Sequence, residues 1–247
     1  MLVSVKQAFG GLARFAAPWL RARWLGLGME AYFWRRWLKT RGLRWPQEYE
    51  RRLDPTRALD AALQPYVAAL SSASLRLLDV GAGPITSIGY QYPGKQLDVT
   101  AVDVLAPKYE QLLARYRVTP PVRTVYAEAE HLTRTLAANS FDIVHARNSL
   151  DHMRDPFAAV QEMVKTAKPG GVVLLIHKVD EGAQQHYLGL HQWNICERSG
   201  NCVLWNPAQE INVTERLLAS CDTRTTSANG SVYVEIRKRQ GSGLEEG

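Results

Sequence analysis

Residues 77–85 read LLDVGAGPI, an apolar run followed by an aspartate, two glycines one residue apart and a proline. Glycine permits backbone angles or a close approach that any side chain would forbid. Proline fixes one backbone dihedral and donates no hydrogen bond. A loop of this composition directly after a strand predicts that bare backbone N–H groups face a bound molecule.

The alternation of elements along the chain predicts the fold class. Strand-like apolar runs occupy residues 75–80, 98–104, 121–126, 141–146 and 171–177. Helical stretches lie between them, at about residues 84–92, 107–117, 128–138 and 156–168. This alternation is typical of an α/β protein with a doubly wound, mostly parallel sheet. Because Asn229-Gly230 is a strong hairpin signal, we expect the sheet to end in an antiparallel pair.

Composition divides the chain into regions. Residues 1–52 hold eleven Lys/Arg against three Glu, and five of the seven tryptophans lie there. We therefore expect a basic, Trp-rich helical extension or cap over residues 1–55 and a main domain over residues 56–240. A hairpin insertion is predicted near residues 190–206. Residues 241–247 have the composition of a flexible tail or an added linker.

The cysteines and the hydropathy pattern bear on the compartment. Cys196, Cys202 and Cys221 do not make a disulfide framework, which favours a reducing compartment. No unbroken apolar stretch is long enough to span a bilayer. We expect a cytoplasmic protein, with any attachment to a membrane being peripheral.

Polar motifs follow the next three predicted strands. VTAVDVL ends the second strand with Asp103, AEAEHL follows the third, and FDIVHARNSLDHMRDPFAAV forms the fourth strand and its loop. An aspartate in the position of Asp103 either accepts both hydroxyls of a ribose or caps a helix. A dinucleotide would require the full Gly-x-Gly-x-x-Gly pattern, whereas Thr86 stands at its sixth position here. The pattern favours an adenosine-like ligand without phosphate, bound at a loop that leads into a helix N-terminus.

Taken in order, these motifs resemble the class I S-adenosylmethionine-dependent methyltransferases, in the type 11-like branch that reads LDvGcGtG, DAExL, FDvVxxxxxLeHvxDP and LkPGG. The resemblance covers about residues 70–180, and Pro84-Ile85 replace the third glycine of the family. It implies a seven-stranded Rossmann-like sheet and S-adenosyl-L-methionine as the cofactor. Asp103 would hold the ribose hydroxyls, and Glu128 would face the adenine amino group. The full set of implied cofactor-binding residues is Asp79, Gly81, Gly83, Asp103, Glu128, Ala129, Asn148, Leu150 and His152.

The resemblance also implies where an acceptor would bind, which is past the fifth strand. The candidate catalytic residues there are His177, Asp180, His186 and His191. No metal site is predicted, because two histidines five residues apart diverge by about 140° on a helix. The expected activity is transfer of a methyl group to an oxygen or nitrogen atom of a small-molecule, saccharide or lipid-linked acceptor. The alternative is a non-catalytic module of the same fold that binds a membrane or a protein partner through its basic helices.

The basic N-terminal region permits several interpretations. It is a helical cap over the acceptor site, a segment that lies on an anionic membrane surface, a nucleic-acid-binding element or an organelle-targeting segment. Nucleic acid is the least favoured of these partners. We expect a helix with the apolar spacing of Phe9 to Leu20, kinked or ended by Pro18. The helices are expected to fold against the main domain and to leave a basic face exposed.

Overall fold

The computed structural model describes the backbone of residues 18–241 and the side chains of residues 25–241. The helices within this range are Pro18–Lys39 (α1), Pro46–Leu53 (α2), Gln64–Ala69 (α3), Ala106–Tyr116 (α4), Pro156–Thr166 (α5), Glu181–Gln184 (α6) and Val213–Leu217 (α7). The strands are Ser74–Val80 (β1), Gln96–Asp103 (β2), Thr124–Tyr126 (β3), Phe141–Arg147 (β4), Ala167–Lys178 (β5), Asn194–Arg198 (β6), Asn201–Asn206 (β7), Gln209–Asn212 (β8), Cys221–Ala228 (β9) and Ser231–Lys238 (β10). Short 3₁₀ segments cover Ala129–Arg134 and Leu150–His152. The helix predicted from Phe9 lies outside the described residues as far as residue 17, and so does the tail after residue 241.

One sheet organises the fold, with its strands in the order β3-β2-β1-β4-β5-β10-β9. The first five of these strands run parallel, and β10 pairs antiparallel with both β5 and β9. The predicted doubly wound, mostly parallel sheet is therefore confirmed, and the hairpin at Asn229-Gly230 supplies its antiparallel edge. Strand order reverses on either side of β1, and ligands bind in such sheets outside the carboxyl ends of the strands at that point.

A separate antiparallel sheet is formed by β6, β7 and β8. Strands β6 and β7 make the hairpin expected near residues 190–206, with Ser199 and Gly200 at positive φ in its turn. The third strand, β8, is a short polar segment, QEIN. Its sequence has no apolar pattern that predicts a strand, and it is held in place by pairing with β7. Ile195, Cys202 and Leu204 pack into the main core, so the small sheet is anchored to the large one.

The helix predicted at residues 84–92 is wrong, because the chain forms successive turns there. Gly89 has a φ of +83°, and a Cβ at this position would lie 2.2 Å from the carbonyl oxygen of Ala58. The segment instead shares backbone hydrogen bonds with the chain before α3. Leu59 N–H donates to the Gln91 carbonyl at 2.8 Å, and Tyr90 N–H donates to the Arg57 carbonyl at 2.9 Å. The glycine loop is thus followed by turns and not by the expected helix N-terminus.

Helices α1 and α2 pack against α4 of the sheet domain. Trp37 and Leu38 of α1 and Tyr49 of α2 are buried in one cluster with Leu112 and Leu113 of α4. Residues of the N-terminal region therefore share a core with the sheet domain, and the domain boundary at residue 55 stays a prediction. None of the helices in the part of the chain described is long and apolar enough to cross a bilayer.

Lys238, near the end of β10, gives a prediction about stability. Its buried ammonium donates to the carbonyl oxygens of Val164 and Ala167 at 2.9 Å and to the amide oxygen of Asn139 at 2.7 Å. Lys238→Met leaves the two buried carbonyl oxygens without this donor, so we expect the free energy of unfolding to fall by about 2–4 kcal/mol. Urea denaturation measures this loss. The exposed Lys108→Met is the control and should change stability by no more than about 0.5 kcal/mol; an equally small effect at Lys238 would contradict the prediction.

Candidate active site

A cavity of about 490 Å³ opens at the carboxyl edge of the sheet. The ends of β1, β2, β4 and β5 and the loops that follow them line one side of it. Helix α1 and the segment at residues 190–191 also line it. A pocket at the switch point of a doubly wound sheet is the expected location of a ligand site.

The two glycines after β1 are required by their backbone angles and by their neighbours. Gly81 and Gly83 have φ values of +70° and +68°. A Cβ on Gly81 would lie 2.5 Å from the Cβ of Ser149, and a Cβ on Gly83 would lie 2.8 Å from the indole of Trp34. The sequence predicts a close approach to this loop. In the structure, the groups that approach it are side chains of the protein itself, Ser149 from the loop after β4 and Trp34 from α1.

Asp79, at the end of β1, is a buried carboxylate that fixes the glycine loop from beneath. One of its oxygens accepts a hydrogen bond from the Thr86 hydroxyl at 2.5 Å. The other lies 2.8 Å from Nδ1 of the buried His145 on β4. Both oxygens are thus engaged within the protein, although Asp79 lines the cavity. Thr86, which stands where a dinucleotide-binding loop would have its third glycine, is part of this arrangement.

Asp103 lies at the end of β2 with its carboxylate against the same loop. Its two oxygens accept hydrogen bonds from the N–H groups of Gly83 at 3.1 Å and Leu105 at 2.8 Å. Burial raises the pKa of Asp103 to about 6, with a further contribution from the nearby negative charge of Glu30, and it prevails over the two backbone hydrogen bonds. The Tyr109 hydroxyl also interacts with this carboxylate. Because a carboxylate has about four acceptor sites, Asp103 keeps acceptor capacity for a ligand hydroxyl.

Helix α1 contributes cavity residues that the sequence analysis did not assign. Trp34 contacts Gly83, packs edge-on against Tyr109 of α4 and donates its indole N–H to Glu30 at 2.7 Å. Glu30 and Phe33 line the cavity beside Trp34. The tryptophan-rich composition predicts a cap. It does not predict which face of the helix contacts the glycine loop, because that depends on tertiary packing.

A cluster of three side chains, Asp151, His152 and His191, also lines the cavity. Nδ1 of His191 lies 2.6 Å from Oδ2 of the buried Asp151 and 3.2 Å from Nε2 of His152. The hydrogen bond to Asp151 raises the pKa of His191. Burial opposes ionisation of Asp151, but the hydrogen bond from His191 and the nearby imidazoles outweigh it and hold the pKa of Asp151 below its ordinary value.

This cluster has the geometry of an oriented base. Donation from Nδ1 of His191 to Asp151 fixes the ring and its tautomer, and none of the hydrogen bonds among the described residues engages Nε2. The three ligand atoms lie within 4.8 Å of one another, which is also the spacing that a divalent cation requires. The 2.6 Å hydrogen bond joins the two atoms that such a cation would need, so the arrangement favours an Asp–His pair over a metal centre.

The cationic side chains of the cavity are already paired. Arg147 contacts both carboxylate oxygens of Asp60 at 3.1 Å, and Lys178 pairs with Glu181 at 3.0 Å. Arg52 is paired with Glu48 at 2.9 Å. A phosphate would have to compete with these carboxylates, so the cavity fits a ligand without phosphate better than it fits a dinucleotide.

Most of the predicted cofactor residues line the cavity, but two do not. Those that do are Asp79, Gly81, Gly83, Asp103, Ala129, Asn148 and His152. Glu128 is exposed on the outer surface, where its carboxylate accepts a hydrogen bond from the Tyr126 hydroxyl at 2.8 Å. Leu150 is fully buried in the core beneath the loop after β4. Because a 3₁₀ turn begins at each of these loops, Ala129 and Glu130 turn towards the cavity in place of Glu128, and Asp151 in place of Leu150.

Of the four candidate bases, His191 alone lines the cavity. His177 is enclosed within β5, where burial lowers its pKa to about 3 and keeps it neutral. Asp180 does not line the cavity and accepts a hydrogen bond from the Trp205 indole at 2.9 Å. His186 is exposed at the outer turn of the loop. The other three candidates do not line the cavity, because the loop after β5 turns outward before it returns at residue 190.

Sequence comparison identifies relatives of this chain. Residues 78–175 match a family described as a methyltransferase domain. An uncharacterized methyltransferase of Mycolicibacterium vanbaalenii is 27% identical over 149 residues, which are 55% of this chain and 54% of the relative. The ubiquinone biosynthesis O-methyltransferase of Xanthomonas axonopodis pv. citri is 34% identical over 125 residues, which are 49% of this chain and 51% of the relative. The chain thus spans about half the length of the curated relatives it matches.

Among solved structures, the CurJ carbon methyltransferase is similar with a TM-score of 0.47 at 12% identity, over 72% of this chain and 52% of that one. A SAM-dependent methyltransferase from Aquifex aeolicus has a TM-score of 0.43 at 16% identity, over 76% of this chain and 91% of that one.

Proposed function

We propose that this chain, whose residues 78–175 match a methyltransferase domain, is a class I S-adenosylmethionine-dependent methyltransferase and that it methylates a hydroxyl oxygen of a small-molecule, saccharide or lipid-linked acceptor. The observation that carries the choice of oxygen is the Asp151–His191 pair in the cavity. A hydroxyl acceptor needs a base, whereas an amine acceptor needs only to be neutral. The name of the Xanthomonas relative, an O-methyltransferase, agrees with an oxygen acceptor.

The polar groups that line the cavity match the hydrogen-bonding groups of the proposed cofactor. Asp103 offers carboxylate lone pairs to the two ribose hydroxyls, and the loop of Gly81 and Gly83 brings backbone close to the same point. The paired state of the cavity cations agrees with a ligand that carries no phosphate. Asn148 and Ala129 line the cavity nearby and are proposed as further cofactor contacts.

The protein's part in the reaction is alignment, exclusion of water and removal of one proton. S-adenosylmethionine, when bound, supplies an electrophilic methyl group carried by a sulfonium, and the sulfur becomes a neutral thioether when the methyl group is transferred. His191 accepts the proton of the acceptor hydroxyl at Nε2, and Asp151 stabilises the imidazolium that forms. Trp34 and Phe33 of α1, together with Leu190, line the cavity and are proposed to keep water from the reacting atoms.

Asp103 gives a prediction about cofactor affinity. Asp103→Ala removes the acceptor of the ribose hydroxyls, so S-adenosylhomocysteine should bind about 10–150-fold more weakly. A protonated carboxyl accepts less well, so affinity of the unmodified protein should also fall as the pH drops through about 6. Calorimetric titration at pH values on either side of this point measures both effects. Asp98→Ala, at an exposed position of the same strand, is the control and should bind normally; unchanged affinity in Asp103→Ala would remove Asp103 from the ribose site.

The experiment that tests the proposed function is a screen of acceptors with radiolabelled S-adenosylmethionine. Phenols, saccharides and lipid-linked saccharides are offered in parallel with amines of matched size. Label recovered on a hydroxyl compound by the unmodified protein and by His186→Ala, but not by His191→Ala, supports the proposal. Label on amines alone, or transfer that His191→Ala retains in full, would contradict it. Cofactor binding with no transfer to any class would favour the non-catalytic alternative.

A further inference from the structure

One face of α1 exposes a row of large apolar side chains. Leu25, Met29 and Tyr32 are 71%, 60% and 57% exposed, and Phe33 continues the row at the rim of the cavity. Their spacing of three and four residues places them on the same side of the helix. The opposite side of α1 is occupied, since Trp37 and Leu38 are buried against α2 and α4. A contiguous exposed apolar row of this kind marks an interaction surface more often than scattered single residues do.

The loop before β6 extends this apolar surface. A Cβ on Gly189 would lie 3.6 Å from the side chain of Met29, so the loop lies directly beside α1. Its neighbour Leu188 is 64% exposed. The apolar surface, which consists of Leu25, Met29, Tyr32, Phe33 and Leu188, therefore borders the mouth of the cavity from two elements.

Cationic side chains continue from this surface along the chain. All of them are exposed, and they are Arg35, Arg36, Lys39, Arg41 and Arg44. The carboxylate of Glu48 in this region is shared by Arg51, Arg52 and Arg57, and Glu30 is hydrogen-bonded to Trp34. The surface thus combines leucine and aromatic side chains with an excess of positive charge, which is the composition of helices that lie in the interface of an anionic bilayer.

We propose that the apolar surface and the adjoining cations dock the protein on an anionic lipid bilayer, with the cavity mouth at the membrane surface. Leu25, Met29 and Leu188 would enter the boundary between headgroups and acyl chains, while the arginines contact lipid phosphates. Charge complementarity selects an anionic bilayer over a neutral one, since each cation near such a surface strengthens binding roughly fivefold. The proposal concerns location only and does not depend on which acceptor is methylated.

Co-sedimentation of the full chain with vesicles tests this proposal. Vesicles of phosphatidylcholine alone are compared with vesicles of phosphatidylcholine and phosphatidylglycerol, at ionic strengths of about 0.01 M and about 1 M, where charges are screened beyond about 30 Å and about 3 Å. We expect the partition coefficient to be at least about tenfold higher on anionic vesicles at low salt, from two or more contacting cations. Equal recovery under all four conditions would overturn the proposal.

Matched variants locate the surface. Met29→Glu with Tyr32→Glu should reduce binding to anionic vesicles about tenfold or more, and so should Arg35→Glu with Arg36→Glu. The controls are Leu218→Glu, which changes a side chain 63% exposed directly after α7, and Lys108→Glu with Arg134→Glu, which change exposed cations elsewhere. Controls that lose binding as strongly as the α1 variants would overturn the assignment to α1. Cofactor titration of each variant shows that the cavity is intact, so failure here is distinguishable from failure of the proposed methyl transfer.

Discussion

Replacing His191 with alanine is expected to lower the turnover number by about 10²–10⁴-fold, the usual contribution of a general base. Affinity for S-adenosylhomocysteine should stay within about twofold, since His191 hydrogen-bonds Asp151, whereas Asp103 is held by the N–H groups of Gly83 and Leu105. Steady-state kinetics with the acceptor found in the screen measure the turnover number, and calorimetry measures the affinity. His186→Ala changes an exposed histidine of the same loop and should keep full activity.

The pH dependence of this reaction distinguishes a base from a residue that only shapes the cavity. A base works in its neutral form, and the hydrogen bond to Asp151 raises the pKa of His191 above its ordinary value of 6.5. The rate should therefore rise with pH through a midpoint above that value. Asp151→Asn removes the negative partner and should move the midpoint down. A rate that is independent of pH over this range, with His191→Ala fully active, would exclude His191 as the base.

Gly83→Ala is expected to lower the free energy of unfolding by about 2–5 kcal/mol. About 1–2 kcal/mol comes from forcing a Cβ into a left-handed conformation, and about 1–3 kcal/mol comes from overpacking, because that Cβ would lie 2.8 Å from the Trp34 indole. Gly94 is a matched control, since its φ is +73° but a Cβ there would meet nothing within 4 Å. Gly94→Ala should therefore show the backbone contribution alone.

A double-mutant cycle isolates the contact between the loop and α1. In a Trp34→Ala background, Gly83→Ala should cost only about 1–2 kcal/mol, because the steric part is removed and the backbone part remains. Chemical denaturation of the four proteins gives the coupling energy. Cofactor affinity should fall in Gly83→Ala, since the Gly83 N–H is hydrogen-bonded to Asp103. If Gly83→Ala lowered the free energy of unfolding equally in both backgrounds, α1 would not pack against the loop.

The parts of the fold and site that the sequence predicted are those that local pattern determines. Alternating apolar runs gave the parallel sheet, and Asp103 was singled out because it ends a predicted strand, whereas the role of Asp79 was implied by the family resemblance. The orientation of residues inside short loops was harder to predict from the sequence. Glu128 and Leu150 were each displaced from the cavity by a 3₁₀ turn, and such turns leave no periodic signal.

The remaining site residues depend on contacts between distant segments. His177 and His191 lie at the two ends of one loop. His177 is buried in β5, whereas His191 lines the cavity because the loop returns beside Asp151, and this return is not visible in the sequence. The backbone hydrogen bond from Gln192 N–H to the Asp151 carbonyl at 2.9 Å holds this return in place. Likewise, the helix expected after Pro84 was overridden by pairing with residues 57–60, which lie before the first strand.

Calorimetric titration of the purified protein with S-adenosylhomocysteine, and with NAD in parallel, tests the central claim most directly. The claim is that the cavity between the glycine loop, Asp103 and α1 holds an adenosine-containing ligand without phosphate groups. The predicted result is one site of micromolar affinity for S-adenosylhomocysteine, weakened in Asp103→Ala, and no binding of NAD. Saturable binding of NAD, or the absence of any heat from S-adenosylhomocysteine with the folded protein, would contradict the account.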